Sequence, residues 1–404
     1  MSASQPASKP AADPSVAGTL EVDGDFYRLA ELVEPQDMEV IGHVRTFMRE
    51  RVAPVITEYW AKAEFPHQLV PEYAALGIAG ACYQGFDCGG RGSVLDGLLM
   101  LELARVDCSF ATFHGVHSGL AMGSIYLCGS DEQRAHWLPL MRRCEKIGAF
   151  GLTEPETGSG VARGLNTTAR RDGDTWVLNG AKAWIGNATF ADVVVIWARD
   201  LDDGQVKGFL VEKGTPGFTA WDVHGKLSLR ASVTSGLVMN DCEIPAENIL
   251  DKEGAGQSVF TASMEWERTC ILASHLGMMQ RVLENCVKYA RERNQFGQPI
   301  GKFSAIGNKI ADMDVRLETS RLVLYKAAWL KSQGRHPLRE TSIAKLYVSE
   351  ACVQSCLDAI QIHGGYGYMT DYQIERELRD AISGKIYSGT SEIQRVIIAG
   401  LHGF

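Results

Sequence analysis

The sequence predicts an α+β chain whose helical and β segments are segregated rather than alternating, so a doubly wound fold is not expected. Three observations carry this. Apolar residues recur at three- and four-residue steps before about residue 150, and short β-branched runs bounded by turn residues follow. Helical periodicity then returns from residue 257. No strand–Gly-x-Gly-x-x-Gly–helix unit accompanies these segments. Asp251-Lys-Glu-Gly-Ala-Gly256 is acidic, follows no strand and reads as a loop.

In chain order, residues 1–25 are rich in Ala, Ser and Pro without amphipathic period, which predicts a disordered tail. Residues 26–149 form an N-terminal helical domain. Val40, Val44, Phe47 and Met48 share one helix face, and Leu98 to Leu103 and Gly119 to Leu127 read as buried helices. Residues 150–256 form a middle β domain. Asp172 to Gly180 reads as a strand between turn residues, with further strands at Val193 to Ala198, Gly208 to Val211 and Gly236 to Met239. Residues 257–404 form a C-terminal helical bundle, with breaks at Gln298-Pro299, at Gly334 to Pro337 and at the glycines of 364–367.

Composition narrows the function. A chain of 404 residues with 45% apolar content fills a real core, and a net charge of −9 argues against a nucleic-acid partner. Ten cysteines lie scattered without a Cys-x-x-Cys pair or zinc spacing, which reads as free thiols in a reducing cytosol and no metal. The N-terminus has no basic and then apolar leader, and no run of 18 apolar residues occurs, so neither a standard secretion signal nor a membrane span is expected.

Five strings carry the chemistry. They are Ala149-Phe-Gly-Leu-Thr-Glu-Pro-Glu-Thr-Gly-Ser159, Ala183-Trp-Ile-Gly-Asn187, Arg293-Asn-Gln-Phe-Gly297, His363-Gly-Gly-Tyr-Gly367 and Tyr387-Ser-Gly-Thr-Ser-Glu-Ile-Gln394. A flavin needs donors and acceptors along its pyrimidine edge, a flat apolar wall against its ring, and charge for its pyrophosphate. Backbone near Phe150 and Leu152, the Thr153 hydroxyl and the Trp184 indole supply the first two. Arg293, with its planar fork, suits a phosphate. Taken alone, Trp184 also reads as a core aromatic.

In this order and at these spacings the strings resemble the acyl-CoA dehydrogenase family of flavoproteins, from about residue 35 to the C-terminus. The resemblance implies an N-terminal helical domain, a middle β domain and a C-terminal four-helix bundle, with FAD as cofactor. It implies that Phe150, Leu152, Thr153, Trp184 and Gly186 meet the flavin ring, with the Gly186 N–H near N5, and that Ser159 lies near both cofactor and thioester. It also implies that Arg293, Gln295, Phe296, Gln361, Gly364 and Gly365 reach the FAD of a neighbouring subunit, and that Thr390 and Glu392 lie in the last cofactor-contacting turn. The protein is then a homo-oligomer, a dimer or a tetramer.

One position breaks the pattern. Ser388 stands where many members carry the catalytic glutamate, and its hydroxyl is far too weak a base; it faces the substrate instead. Isovaleryl- and long-chain-specific branches place the glutamate early in the C-terminal domain, and Glu267-Arg268 matches that branch. Glu267 shares an apolar stripe with Met264 and Ile271, whereas Glu265 points about 200° away around the helix. The implied activity is α,β-dehydrogenation of a short acyl thioester, with Glu267 taking the Cα proton and the Cβ hydride passing to flavin N5.

Ala111 and Ala104 replace charged residues of the glutaryl branch, which disfavours a dicarboxylate. The C-terminal half resembles carrier-protein dehydrogenases of secondary metabolism, so the thioester is one of CoA or of a carrier protein. Electrons pass to an electron-transfer flavoprotein or similar acceptor. The alternatives are an oxidase that uses O₂ and a non-desaturating homologue, desulfinase-like or merely binding. A cytoplasmic location without nucleic-acid or membrane partners is expected.

Overall fold

The computed structural model describes residues 34–161, 164–250 and 256–404; the side chains of residue 93 and of 256–270 lie outside the description. The disordered tail expected at 1–25 and the loop expected at 251–255 fall outside it too. So do the side chains of Glu265 and Glu267, although their backbone is helical.

Among the described residues, seven α-helices form the N-terminal part. Helix α1 (Pro35–Phe47) runs through a π turn at Met48–Val52 into α2 (Ala53–Lys62), which ends where Ala63 turns left-handed. Helix α3 (Val70–Ala75) is short, and α4 (Ser93–Ala104) buries Leu95, Leu99, Met100 and Leu103. The Asp107 carboxylate caps α5 (Cys108–His114) by accepting from Phe110 N–H at 2.7 Å. A second π segment, Gly115–Ala121, carries the chain into α6 (Met122–Cys128), so only part of the helix read at Gly119 to Leu127 is α. A Ser130–Gln133 capping box starts α7 (Asp131–Arg142).

The middle part is an eight-stranded sheet of β1 (Gly148–Gly151), β2 (Thr168–Asp172), β3 (Thr175–Gly186), β4 (Val193–Asp200), β5 (Val206–Glu212), β6 (Phe218–Asp222), β7 (Thr234–Pro245) and β8 (Ile249–Leu250). The order is β6-β7-β3-β2-β4-β5-β8, with β1 laid parallel on β4. Strand β4 is buried on both faces, which is why its sequence is one apolar run. Its period of two divides it between two cores. Val193, Val195 and Trp197 face the core shared with the helices, while Val194, Ile196 and Ala198 face a smaller core within the β part.

The strand read between turn residues at Asp172 to Gly180 is present as the first half of β3, but its far end is not at Gly180. Gly173 (φ 57°) turns β2 into β3, and β3 continues to Gly186. Gly180 does not end it: a Cβ there would lie 2.7 Å from Thr167 Cα, so the glycine serves close approach rather than a turn.

The C-terminal part contains α8 (Gly256–Glu292), a short hairpin of β9 (Asn294–Gln295) and β10 (Gln298–Pro299), α9 (Ser304–Ser332) and α10 (Leu338–His363). Then come a helical turn α11 (Gly365–Tyr368), α12 (Ile374–Ser383) and α13 (Ser391–Leu401). Helices α8, α9 and α10 pack on one another, α12 and α13 close against α10, and α4 packs on α8. The fold is therefore the expected one, helical parts flanking a β part.

The three parts meet at Trp60. Its indole N–H lies 3.1 Å from both Asp380 oxygens, and Leu229 N–H donates to Asp380 at 2.6 Å. The guanidiniums of Arg379, Arg230 and Arg376 surround the ring at 4.5, 5.4 and 5.4 Å, and Arg376 also pairs with buried Asp107.

Candidate functional site

The structure gathers the candidate residues into three groups. The first forms where β1 ends beside β3. Phe150 and Leu152 are buried, and Ala183 N–H donates to Thr153 O at 2.9 Å. Lys182 clamps the same place, donating to Leu152 O at 3.1 Å and to Glu154 at 2.9 Å. This ion pair is fully buried. Glu154 also accepts from the N–H groups of Asn166 (2.6 Å) and Thr167 (2.8 Å). Burial pulls the Lys182 ammonium down to about 8 against the attraction of Glu154. Burial pushes Glu154 the other way, but its hydrogen bonds and Lys182 outweigh that and hold it below the usual carboxylate range.

Beyond the clamp, a register shift between Lys182 and Ile185 breaks the β3–β7 ladder. Trp184 takes φ 66° there and turns outward, leaving its indole 66% exposed. Gly186 follows, with backbone only. Its neighbour Asn187, also at positive φ, is buried and donates from Nδ2 to Phe113 O at 3.3 Å. Ser159 lies in an exposed loop after the tight Glu154–Thr157 turn, which Asn166 Nδ2 braces through Thr157 Oγ1 at 3.3 Å.

The second group lines a cleft of about 640 Å³ between the end of α8, the β9–β10 hairpin and the end of α10. Arg293, Gln295, Phe296, Gly364 and Gly365 all face it, and Gln361 is exposed on the last turn of α10. Arg293 lies 5.9 Å from the Tyr366 ring and has no carboxylate partner among the described residues. Phe296 is 93% exposed at φ 50°. Gly364 adopts φ 59°, ψ −131°, a backbone state open in practice only to glycine, and space for a Cβ is free at both Gly364 and Gly365. Tyr289 stacks on His363 at 4.2 Å and forms the cleft wall.

The third group is the turn into α13. Ser388 is 9% exposed at φ 56°, and Gln394 Nε2 donates to Gly389 O at 3.0 Å. Thr390 caps α13, accepting from Ile393 N–H at 3.3 Å, and exposed Glu392 sits in its first turn. Thr390 and Glu392 border a smaller cleft of about 340 Å³.

Among the described residues no hydrogen bond, ion pair or ring contact links the first group to the second. That separation suits the expectation that the cleft serves another subunit. The chemistry on offer fits a flavin dinucleotide. An exposed indole beside bare backbone makes a ring seat, and a guanidinium lacking a carboxylate beside two glycines makes a pyrophosphate seat. Trp184 and Phe296 are large apolar side chains left in solvent beside these seats.

The sequence did not single out the buried Lys182–Glu154 pair. Glu154 lies inside the first motif, and a lysine between Ala181 and Ala183 in a strand was the available signal for its partner.

Comparison with known proteins identifies the family. The chain matches family models described as acyl-CoA dehydrogenase N-terminal domain (residues 35–162), middle domain (149–242) and C-terminal domain (254–400). It is 39% identical over 360 residues to an acyl-CoA dehydrogenase of Bacillus subtilis (strain 168), covering 88% of this chain and 95% of that protein. Among solved structures, the prolyl acyl carrier protein oxidase AnaB superposes with TM-score 0.87 at 37% identity, over 92% of this chain and 100% of that one. A glutaryl-CoA dehydrogenase from Mycobacterium smegmatis in complex with FADH2 gives TM-score 0.89 at 35% identity, over 94% and 97%. With all three domains matched and these likenesses spanning nearly its whole length, the chain belongs to the acyl-CoA dehydrogenase family.

Proposed function

We propose that this protein is an FAD-dependent dehydrogenase that introduces a double bond between Cα and Cβ of a short acyl thioester. The observation that carries the reading is the seat at the end of β3. An indole 66% exposed stands beside Gly186, and a buried ion pair fixes the strand beneath them. Bound there, FAD supplies the two-electron acceptor for the hydride that leaves Cβ. Backbone at Phe150, Leu152 and Thr153 would hold the ring edge, Trp184 would cover a face, and Gly186 would offer its N–H without a side chain of its own. Arg293, Gln295, Phe296, Gln361, Gly364 and Gly365 hold the dinucleotide of a neighbouring subunit, with Thr390 and Glu392 completing the contact.

Glu267 is the base. A carboxylate at this position takes the Cα proton, and a general base suits that task best when its pKa lies near the working pH. Ser159 and Ser388 face the thioester; Ser388, small and left-handed in backbone, leaves room beside the reacting carbons.

The likeness to a prolyl acyl carrier protein oxidase supports a second arm of the same reading, a carrier-bound substrate and O₂ as the oxidant. The deciding experiment is anaerobic mixing of the yellow protein with a panel of short acyl-CoA and acyl-carrier thioesters. Bleaching of the flavin by one class identifies the substrate. Rapid return of colour on admitting air marks an oxidase, and return only with electron-transfer flavoprotein marks a dehydrogenase. A protein that takes up no FAD, or is bleached by no thioester, overturns the proposal.

A further inference from the structure

The helix that begins at Cys108 does not stay α-helical. Over Gly115–Ala121 it widens into π geometry, a form that occurs mostly as short bulges, frequently at functional sites. This segment touches both strands of the ring seat. On the β1 side, His117 Nδ1 accepts from Gly148 N–H at 3.0 Å while its Nε2–H donates to Met141 O at 2.9 Å. Burial holds this imidazole down at about 4, so it stays neutral and keeps one acceptor and one donor nitrogen at ordinary pH.

On the β3 side the contact is steric. A Cβ built on Gly186 would lie 2.9 Å from Val116 Cγ2 and 3.6 Å from Cγ1. Neither side can give way easily. Val116 branches at Cβ, so its methyl carbons are not the free end of a flexible chain that could swing away cheaply. The next residue, Asn187, is tied to the preceding turn of the same helix through Phe113 O. The volume beside residue 186 therefore belongs to Val116.

We propose that Val116 is a positioning residue for the flavin: the π segment holds its isopropyl group in the space that a residue-186 side chain would fill. The ring edge is then set by apolar contact from the N-terminal part and by bare backbone from β3. This rests on the reading of Gly186 as flavin-facing backbone.

The test is a double-mutant cycle on the full chain with Val116→Ala, Gly186→Ala and the pair. FAD affinity by fluorescence titration, the absorption spectrum of the bound flavin and thermal unfolding are measured for each. Gly186→Ala should weaken FAD binding about tenfold, as overpacking of a fixed contact does. Adding Val116→Ala leaves Val116 Cβ, 3.7 Å away, as the nearest atom of that side chain, and affinity should return to within about threefold of wild type. Val116→Ala alone should fold and keep FAD while shifting the absorption bands of the bound flavin, a change that loss of packing elsewhere would not cause. Independent, additive effects of the two changes, or unaltered binding in Gly186→Ala, overturn this inference alone. A wild-type chain that takes up no FAD overturns the functional reading as well.

Discussion

At position 267 the exchange of one carboxylate oxygen for an amide nitrogen removes basicity and little else. Glu267→Gln should therefore retain FAD and bind thioester, yet lose flavin reduction by at least the roughly 10²–10⁴-fold that a positioned general base supplies. Stopped-flow reduction under nitrogen reads this directly, and near-wild-type rates would move the base elsewhere. Glu265→Gln, on the other side of the helix, should be nearly silent. Lys182 makes a different argument. It is buried against Glu154, so Lys182→Met strands a buried carboxylate that keeps the backbone donors of Asn166 and Thr167 but loses its counter-charge. Breaking a buried pair from one side costs about 3–5 kcal/mol, while removing both charges together costs much less. Thermal unfolding should show Lys182→Met well below the Lys182→Met/Glu154→Gln double variant; the reverse order would mean the pair is not what fixes β1 to β3.

Between elements, the junction at Trp60 depends on the charge of Asp380. Burial pushes this carboxyl up to about 7; Arg376 and the Leu229 N–H oppose the shift, and Asp107 and Glu377 add to it. Lys226 also faces it across the middle part. Between about pH 4 and 7 the folded chain thus holds a proton that the unfolded chain has released. Stability from this group is full at the acid end of that window and is lost as pH rises through it. The melting temperature should fall from pH 5 to pH 8, and Asp380→Asn should flatten that slope; parallel slopes would exclude Asp380 as the cause. None of this junction was legible in the sequence, because Trp60, Leu229 and Asp380 lie on separate elements and meet only through packing. What was legible is what local chemistry dictates: the motif residues around Trp184 and Arg293, and the apolar run that became β4. The extension of β3 past Gly180 escaped because a glycine needed for close approach reads like one needed for a turn. The π segment escaped because its sequence differs in no periodic way from an α-helix.

For the whole molecule, the separation of ring seat and cleft makes a specific demand. If the cleft at Arg293 serves the FAD of a neighbour, every complete site takes its base and ring seat from one subunit and its Arg293 from another. Glu267→Gln spoils a subunit's own site, whereas Arg293→Ala spoils its neighbour's. Each variant alone should be inactive, the first with FAD retained and the second with FAD readily lost. Expressed together, they should form mixed assemblies in which one pairing brings a defective base to a defective cleft and the other brings an intact base to an intact cleft. Random pairing then restores roughly a quarter of the sites, since half the pairs are mixed and each holds one good site of two. Thioester-dependent flavin bleaching in the co-purified mixture, against none in either parent, would be the outcome expected of a shared site. If the cleft instead served its own subunit, every chain in the mixture would carry a defect in its own site and no activity could return. That silence, with mixed assemblies shown by two affinity tags, would remove the intersubunit assignment of Arg293, Gln295 and Phe296 while leaving the base and the ring seat untouched.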